Sequence, residues 1–204
     1  TSKSADKAIS QTIAQISAAN IETLNLNTSG LSANTVDYIV TTLTDGGSTD
    51  LNTLNITGSS SLDLSGTITA SDLTTVNAST FTGDLRLDGV AEKQVITGGS
   101  GADEFIMAGN LNNDDTIDGG TGSDTLTANS TDLSATTGAL SIANVEKINL
   151  TNVGTSVIDA TNITSATELA VLTNTTSTTI TNLAAGVAVG AGHNNTDGAA
   201  SGLF

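Results

Sequence analysis

Two stretches of this chain, Gly98–Ile106 (GGSGADEFI) and Gly119–Thr127 (GGTGSDTLT), follow the nine-residue pattern G-G-x-G-x-D-x-(apolar)-x without a mismatch. Between them Asn110–Asp118 (NLNNDDTID) runs into the second copy in the same phase. It lacks the glycines but keeps Asp115 at the sixth place and Ile117 at the eighth. Glycine accepts the positive φ of a flat, tight turn and lets stacked turns approach closely. Carbonyl oxygens from such turns, joined by the sixth-place carboxylate, make an anionic, all-oxygen donor set. Calcium, which takes roughly six to eight oxygen ligands, suits that set better than a transition metal does.

The surrounding charge points the same way. Asp103, Glu104, Asp114, Asp115, Asp118 and Asp124 share one short window, and no Lys or Arg lies between Lys93 and Lys147. Two carboxylates about 4 Å apart repel by roughly 4 kcal/mol at an effective dielectric near 20. Stacking these turns without a cation is therefore unfavourable. The plain alternative is a Gly/Asp-rich loop that binds no metal.

The elements that must hold these residues are short strands. Residues seven to nine of each repeat predict a strand whose middle side chain (Phe105, Ile117, Leu126) faces inward. Successive turns fall on opposite sides of the coil, so a turn stacks on the next but one. One ion is expected between turns 98–103 and 119–124. Met107–Gly109 is a three-residue excess over perfect phase, which predicts an offset of the first turn.

A second self-similarity surrounds the nonapeptides. Asn20–Leu26 (NIETLNL), Asp50–Ile56 (DLNTLNI), Asp72–Ala78 (DLTTVNA) and Asn144–Leu150 (NVEKINL) share one frame, and the second and third begin 22 residues apart. The same offset carries Leu150-Thr151-Asn152 to Leu172-Thr173-Asn174 and Glu146 to Glu168. A fixed period above about twenty indicates a solenoid, each coil burying its face against its neighbours. Alternating strands at Ser61–Ser65, Asp84–Asp88 and Thr178–Leu183 fall between the anchors, with Gly/Ser/Asn clusters as turns. Leu24, Leu26, Leu54, Ile56, Leu62, Leu64, Leu85, Leu87, Ile148 and Leu150 are the expected inward columns, outward Thr, Asn and Ser suit the wet face, and asparagine at a tight corner can stack as a side-chain amide ladder. Two segments read as helices instead. Ser4–Ala19 has Ile9, Ile13 and Ile16 at helical spacing, and Ser32–Leu43 has Val36, Ile39, Val40 and Leu43.

The expected fold is mainly β: a parallel β-helix or β-solenoid with one or two short helices. Its organisation reads as a helical cap or linker (1–19), solenoid coils with a helical insert near 32–43 (20–97), a calcium-binding roll (98–127), and coils continuing to the end (128–204). The chain starts at Thr1 and stops in Gly/Ala-rich sequence, which reads as a piece of something larger. Only 2% of residues are aromatic, with Leu, Ile, Val and Ala diluted by Thr, Ser, Asn and Gly, which suits thin stacked β-structure. Proline is absent, as uninterrupted hydrogen-bonded strands favour.

Composition also excludes. A formal charge of −16 argues against nucleic acid and anionic membranes as partners. No apolar run is long enough for a transmembrane segment, and no basic-then-apolar signal peptide opens the chain. With no cysteine there are no disulfides, thiolate metal sites or cysteine nucleophiles.

Nonapeptides beside these Asn-rich coils, in an acidic, Thr/Asn/Ala-rich chain without Cys, resemble RTX-type surface-layer proteins of Gram-negative bacteria. The nonapeptide alone is shared by secreted proteases, lipases, cytolysins, epimerases and adhesins; the anchors at Ile21–Leu26 and Val145–Leu150 and the composition shift the resemblance to the surface-layer group. It implies type I secretion, an extracellular location on the bacterial surface, folding in millimolar calcium, and self-association into a two-dimensional lattice (S-layer). Anchoring to lipopolysaccharide is expected through a region outside this chain. Carried over residue by residue, the ligands are Gly99, Gly101 and Asp103 facing Gly119, Thr121 and Asp124, with Asp115 and Asp118 as candidates for a second ion. The middle copy departs from the pattern by lacking its glycines.

The leading expectation is a structural, calcium-dependent building block. An adhesin or ligand-binding module on the same scaffold is the alternative, although Tyr38, Phe81, Phe105 and Phe204 are too scattered to stack on sugars. Enzyme chemistry is not expected. His193, the single histidine, sits in a Gly/Asn-rich tail, and Arg86 alternates with Leu85 and Leu87 towards solvent. Glu22, Glu146 and Glu168 recur at repeat positions, an architectural pattern. No long T-x-T array supports ice binding.

Overall fold

A computed structural model of the chain describes residues 9–29, 36–47, 50–89, 93–133, 140–151, 156–172 and 178–192. They are mainly β and form a solenoid of about six turns. One face is a nine-stranded parallel sheet, running from Ile9–Ile13 and Val36–Val40 through Leu62–Leu64, Leu85–Asp88, Glu104–Ile106, Thr125–Asn129, Lys147–Thr151 and Glu168–Leu172 to Ala188–Gly192. A second face has six parallel strands: Thr23–Asn27, Thr53–Thr57, Thr75–Asn77, Val95–Thr97, Thr116–Asp118 and Ser141–Ala143. A short third face (Ile16–Ser17, Thr42–Thr44, Thr67–Ile68) closes the first coils, and a separate pair, Ser156–Asp159 with Thr178–Thr181, lies among the last.

Alternation builds the core. Each strand sends every second side chain inward, so Leu54, Val76, Ile96, Ile117 and Ile142 stack as register partners along the second face. Leu64, Leu87, Phe105, Leu126 and Ile148 do so along the first. All of these are 3% exposed or less, within one apolar cluster that runs unbroken from Ala18 to Val171. Phe105, Ile117 and Leu126 point inward as the nonapeptide pattern predicts. Leu24 and Leu26, in the first coil of the second face, are only partly buried. An asparagine contact forms on the outer strand face and not at a corner: the Asn55 side-chain amide donates to Asn25 Oδ1 at 2.9 Å, and Asn77 is the next register partner of Asn55.

The two predicted helices are strands. Ile9–Ile13 pairs with Val36–Val40, and Ile16–Ser17 with Thr42–Thr44; residues 1–8 and 30–35 lie outside the described residues. Val40 and Leu43 are both buried because Thr41 is an exposed corner between two strands. A corner of one residue turns two strand faces inward at a spacing of three, which imitates a helical stripe. Among the described residues the one helical turn is the 3₁₀ segment Ala160–Asn162, capped by Asp159, whose carboxylate accepts the Thr161 N–H.

The long repeat is also corrected. The anchors at residues 20, 50 and 72 lie on the second face, whereas Lys147–Thr151 lies on the first. The self-similar segments NIETLNL and NVEKINL therefore never stack on one another. Their shared feature is the corner asparagine: Asn20 (φ 58°) and Asn144 (φ 51°) both take the left-handed conformation, which asparagine tolerates better than most residues. Leu150 pairs with Val171, and Lys147 rather than Glu146 faces Glu168, so the true offset there is one residue shorter than the apparent repeat.

Candidate metal centre

The nonapeptide turns stack as expected. The Gly98 N–H donates to the Asp118 carbonyl (2.7 Å), and the Thr121 N–H donates to the Gly99 carbonyl (2.9 Å). The first turn is not offset: Arg86, Glu104 and Thr125 stay in register. The extra residues are absorbed in a bend where the Met107 carbonyl accepts both the Asn110 and Leu111 N–H groups, with Met107 itself buried.

The sixth-place aspartates do something the sequence reading missed. On the first face Leu62 and Leu85 are register partners in an inward column, and Asp103, Asp124 and Glu146 continue it one residue ahead of the paired Glu104, Thr125 and Lys147. Each acid reaches back one coil. The Leu85 N–H donates to Asp103 Oδ1, the Asp103 N–H to Asp124 Oδ1, and the Asp124 N–H to Glu146 Oε2, all at 2.8 Å. On the second face Asp115 Oδ1 accepts the Gln94 N–H at 2.6 Å in the same way. The carboxylates thus satisfy strand-end N–H groups that burial would otherwise orphan.

The second carboxylate oxygen separates the three copies. Asp103 Oδ2 accepts the Gly99 N–H (2.7 Å), and Asp115 Oδ2 accepts the Asn112 N–H (2.8 Å). Both tie the aspartate to its own turn. In the third copy Gly120 adopts φ +92°, and its N–H donates outward to Asp118 Oδ1 at 3.1 Å. Asp124 Oδ2 is left with no hydrogen-bond partner among the described residues, on a side chain from a residue only 1% exposed.

Electrostatics single out the same group. Burial drives the Asp124 carboxyl from its ordinary 3.8 up to about 6, opposed by the Asp103 N–H and reinforced by the charges of Asp103, Glu146 and Asp118. Burial also raises Asp103 and Asp115, against the two N–H donors each one holds.

Of the expected ligands, Gly99, Gly101, Asp103, Gly119, Thr121 and Asp124 come together in two stacked turns. Gly101 lies directly under Gly122, where a β-carbon would strike the Gly101 carbonyl oxygen. Asp115 and Asp118 are not brought together, because Asp115 points into the core and Asp118 out of the strand Thr116–Asp118. Asp118 instead holds Gly120 and the Asn144 side-chain amide (2.8 Å). Among the described residues no three acidic or histidine side chains gather into a metal-binding group, so any cation here depends on main-chain carbonyls as well. The glycine cradle recurs, since a β-carbon on Gly98 would lie 2.6 Å from Asp103 Oδ2 and one on Gly119 2.6 Å from Asp124 Oδ2; Gly99 satisfies the first oxygen, and the unsatisfied buried second one is where the donors fit a hard divalent cation.

Outside this column, Arg86 points to solvent as predicted, donating to Glu104 at 2.7 Å and to Ser65 Oγ at 2.6 Å. His193 lies outside the described residues. No described helix is long and apolar enough to cross a membrane. Comparison with protein-family models, curated proteins and solved structures found no match for this chain.

Proposed function

We propose that this chain is a calcium-dependent structural building block of a bacterial surface layer, self-associating outside the cell into a two-dimensional lattice. Buried Asp124, with an unsatisfied anionic oxygen inside a stacked glycine turn, is the observation that carries the calcium part of this reading. A bound calcium ion would supply positive charge and oxygen coordination there, and extracellular calcium modules bind at about 0.1–1 mM. The chain's own residues do the rest. Asp103, Asp115, Asp124 and Glu146 tie each coil to the one before, and the aliphatic columns bury the interior. The surface-layer part rests on the resemblance of the nonapeptides and Asn-rich coils, with lipopolysaccharide anchoring assigned to a region outside this chain.

Electron microscopy with millimolar calcium and after chelation tests the reading. Ordered sheets with calcium that disperse on chelation are expected. Dispersed protein in both conditions, with one unchanged melting temperature, would overturn it.

A further inference from the structure

The motif alone sets an ion between turns 98–103 and 119–124, but that interval is already well satisfied. Both oxygens of Asp103 accept N–H groups, from Leu85 and Gly99, and the Gly99 carbonyl accepts the Thr121 N–H. The unsatisfied oxygen lies one interval further on. Asp124 Oδ2 borders the space left by the missing side chain of Gly119, and the main-chain carbonyl of Asn144 closes the other side. A β-carbon placed on Gly119 would sit 2.6 Å from Asp124 Oδ2 and closer still to the Asn144 oxygen. Both oxygens therefore border the same side of Gly119, near enough to each other to be bridged by one hard cation with ligand distances of about 2.3–2.6 Å.

The corner above this space is no glycine turn. Asn144 is left-handed (φ 51°) and is held by its side-chain amide on Asp118 Oδ1, while the Gly119 N–H donates to the Ala143 carbonyl at 3.0 Å. Two residues on, Glu146 brings a second carboxylate against Asp124 through the Asp124 N–H. Gly120 completes the arrangement by turning its N–H outward, which removes the donor that the equivalent Gly99 gives Asp103.

We propose that a calcium-class divalent cation binds between turn 119–124 and the corner 144–146. Asp124 Oδ2 and the Asn144 carbonyl are its ligands, and Glu146 is the second anionic group. The proposal rests on the calcium reading above and names the half of the site that the nonapeptide pattern does not contain. The cation then fastens the repeat segment to the coil that follows it.

Calcium titrations of the full chain, by calorimetry and by melting temperature, decide the matter with three variants. Glu146→Gln keeps an oxygen for the Asp124 N–H, so it preserves the fold while removing a charge. Asp124→Asn removes the unsatisfied anion, and Asp103→Asn probes the preceding interval. Calcium affinity is expected to fall about tenfold or more in Glu146→Gln and Asp124→Asn, since charge count sets affinity in such sites, and to stay within about threefold in Asp103→Asn. A wild-type response abolished by Asp103→Asn but untouched by Glu146→Gln would overturn this assignment and leave the calcium reading standing. No heat and no melting shift in the wild type would overturn both. Should Asp124→Asn fail to fold, Glu146→Gln against Asp103→Asn still separates the outcomes.

Discussion

Replacing Asp124 with Asn should stabilise the protein without calcium and remove its response to calcium. Asn keeps the Oδ1 that accepts the Asp103 N–H, and it turns the unsatisfied Oδ2 into an N–H₂ facing the Asn144 carbonyl. At neutral pH the wild-type carboxylate is ionised in a buried position among Asp103, Glu146 and Asp118, with its pKa raised from 3.8 to about 6. At 1.36 kcal/mol per pKa unit that penalty is about 3 kcal/mol. That shift already contains the bond from Asp103, so the gain is at most about 3 kcal/mol, and discounting it by about half for solvent screening leaves about 1–2 kcal/mol. For a chain of this length this raises Tm by about 2–8 °C. The assay is thermal unfolding at pH 7.5 with a chelator and with excess calcium. With calcium a hundredfold above Kd the wild type gains about 2.7 kcal/mol and the variant little, so the order of the two melting temperatures should narrow or reverse. A variant that melts below the wild type in chelator would refute the reasoning, because Asp124 would then be satisfied in a way its buried oxygen does not indicate.

Three further outcomes follow from the same geometry. Without calcium, the native state holds the Asp124 proton to about pH 6 while the unfolded chain releases it near 3.8, so stability contributed by this group is full below about pH 4 and lost as pH rises through 6; Asp103 and Asp115 shift in the same direction, and chemical denaturation across pH 4–7.5 in chelator should show the decline. Gly122→Ala meets both a φ of +142° and the Gly101 carbonyl, a backbone strain of about 1–3 kcal/mol before the clash is counted, read as a lower urea midpoint. Phe105→Ala, at a fully buried position between Leu87 and Leu126, should cost about 3–5 kcal/mol, and a loss under 1 kcal/mol in the same assay would show that the column tolerates a gap.

Strand alternation and the nonapeptide were legible in the residues because both are short-range. Phe105, Ile117 and Leu126 face inward wherever the strand is paired, and turn 119–124 can stack on 98–103 because Gly120 and Gly122 carry no β-carbon to strike the Gly99 and Gly101 carbonyls. Long-range register was not legible. Corner length decides which face a strand joins, and no residue type states it, so NVEKINL matched NIETLNL in letters while joining the other sheet. The apparent helix at Ser32–Leu43 arose from the same cause, a one-residue corner at Thr41. Within the site, the copies at Gly99 and Gly120 have the same letter in the same place. Their peptides differ because Asp118, two residues before Gly120, takes its N–H in a local turn, whereas Thr97 stands in that place before Gly99 and the Gly99 N–H goes to Asp103.

The carboxylate column gives the stack a direction. Every rung runs backwards, an acid of the later coil closing an N–H of the earlier one. A chain shortened from its C-terminal side bares the N–H groups of Leu85, Gln94, Asp103 or Asp124, whereas one shortened from its N-terminal side frees the carboxylates together with the N–H groups of Thr116, Thr125 or Lys147, which donate to carbonyls of the earlier coil. The side-chain half of every rung thus belongs to the later coil, and the strand-end donor of each coil is closed only when its successor arrives.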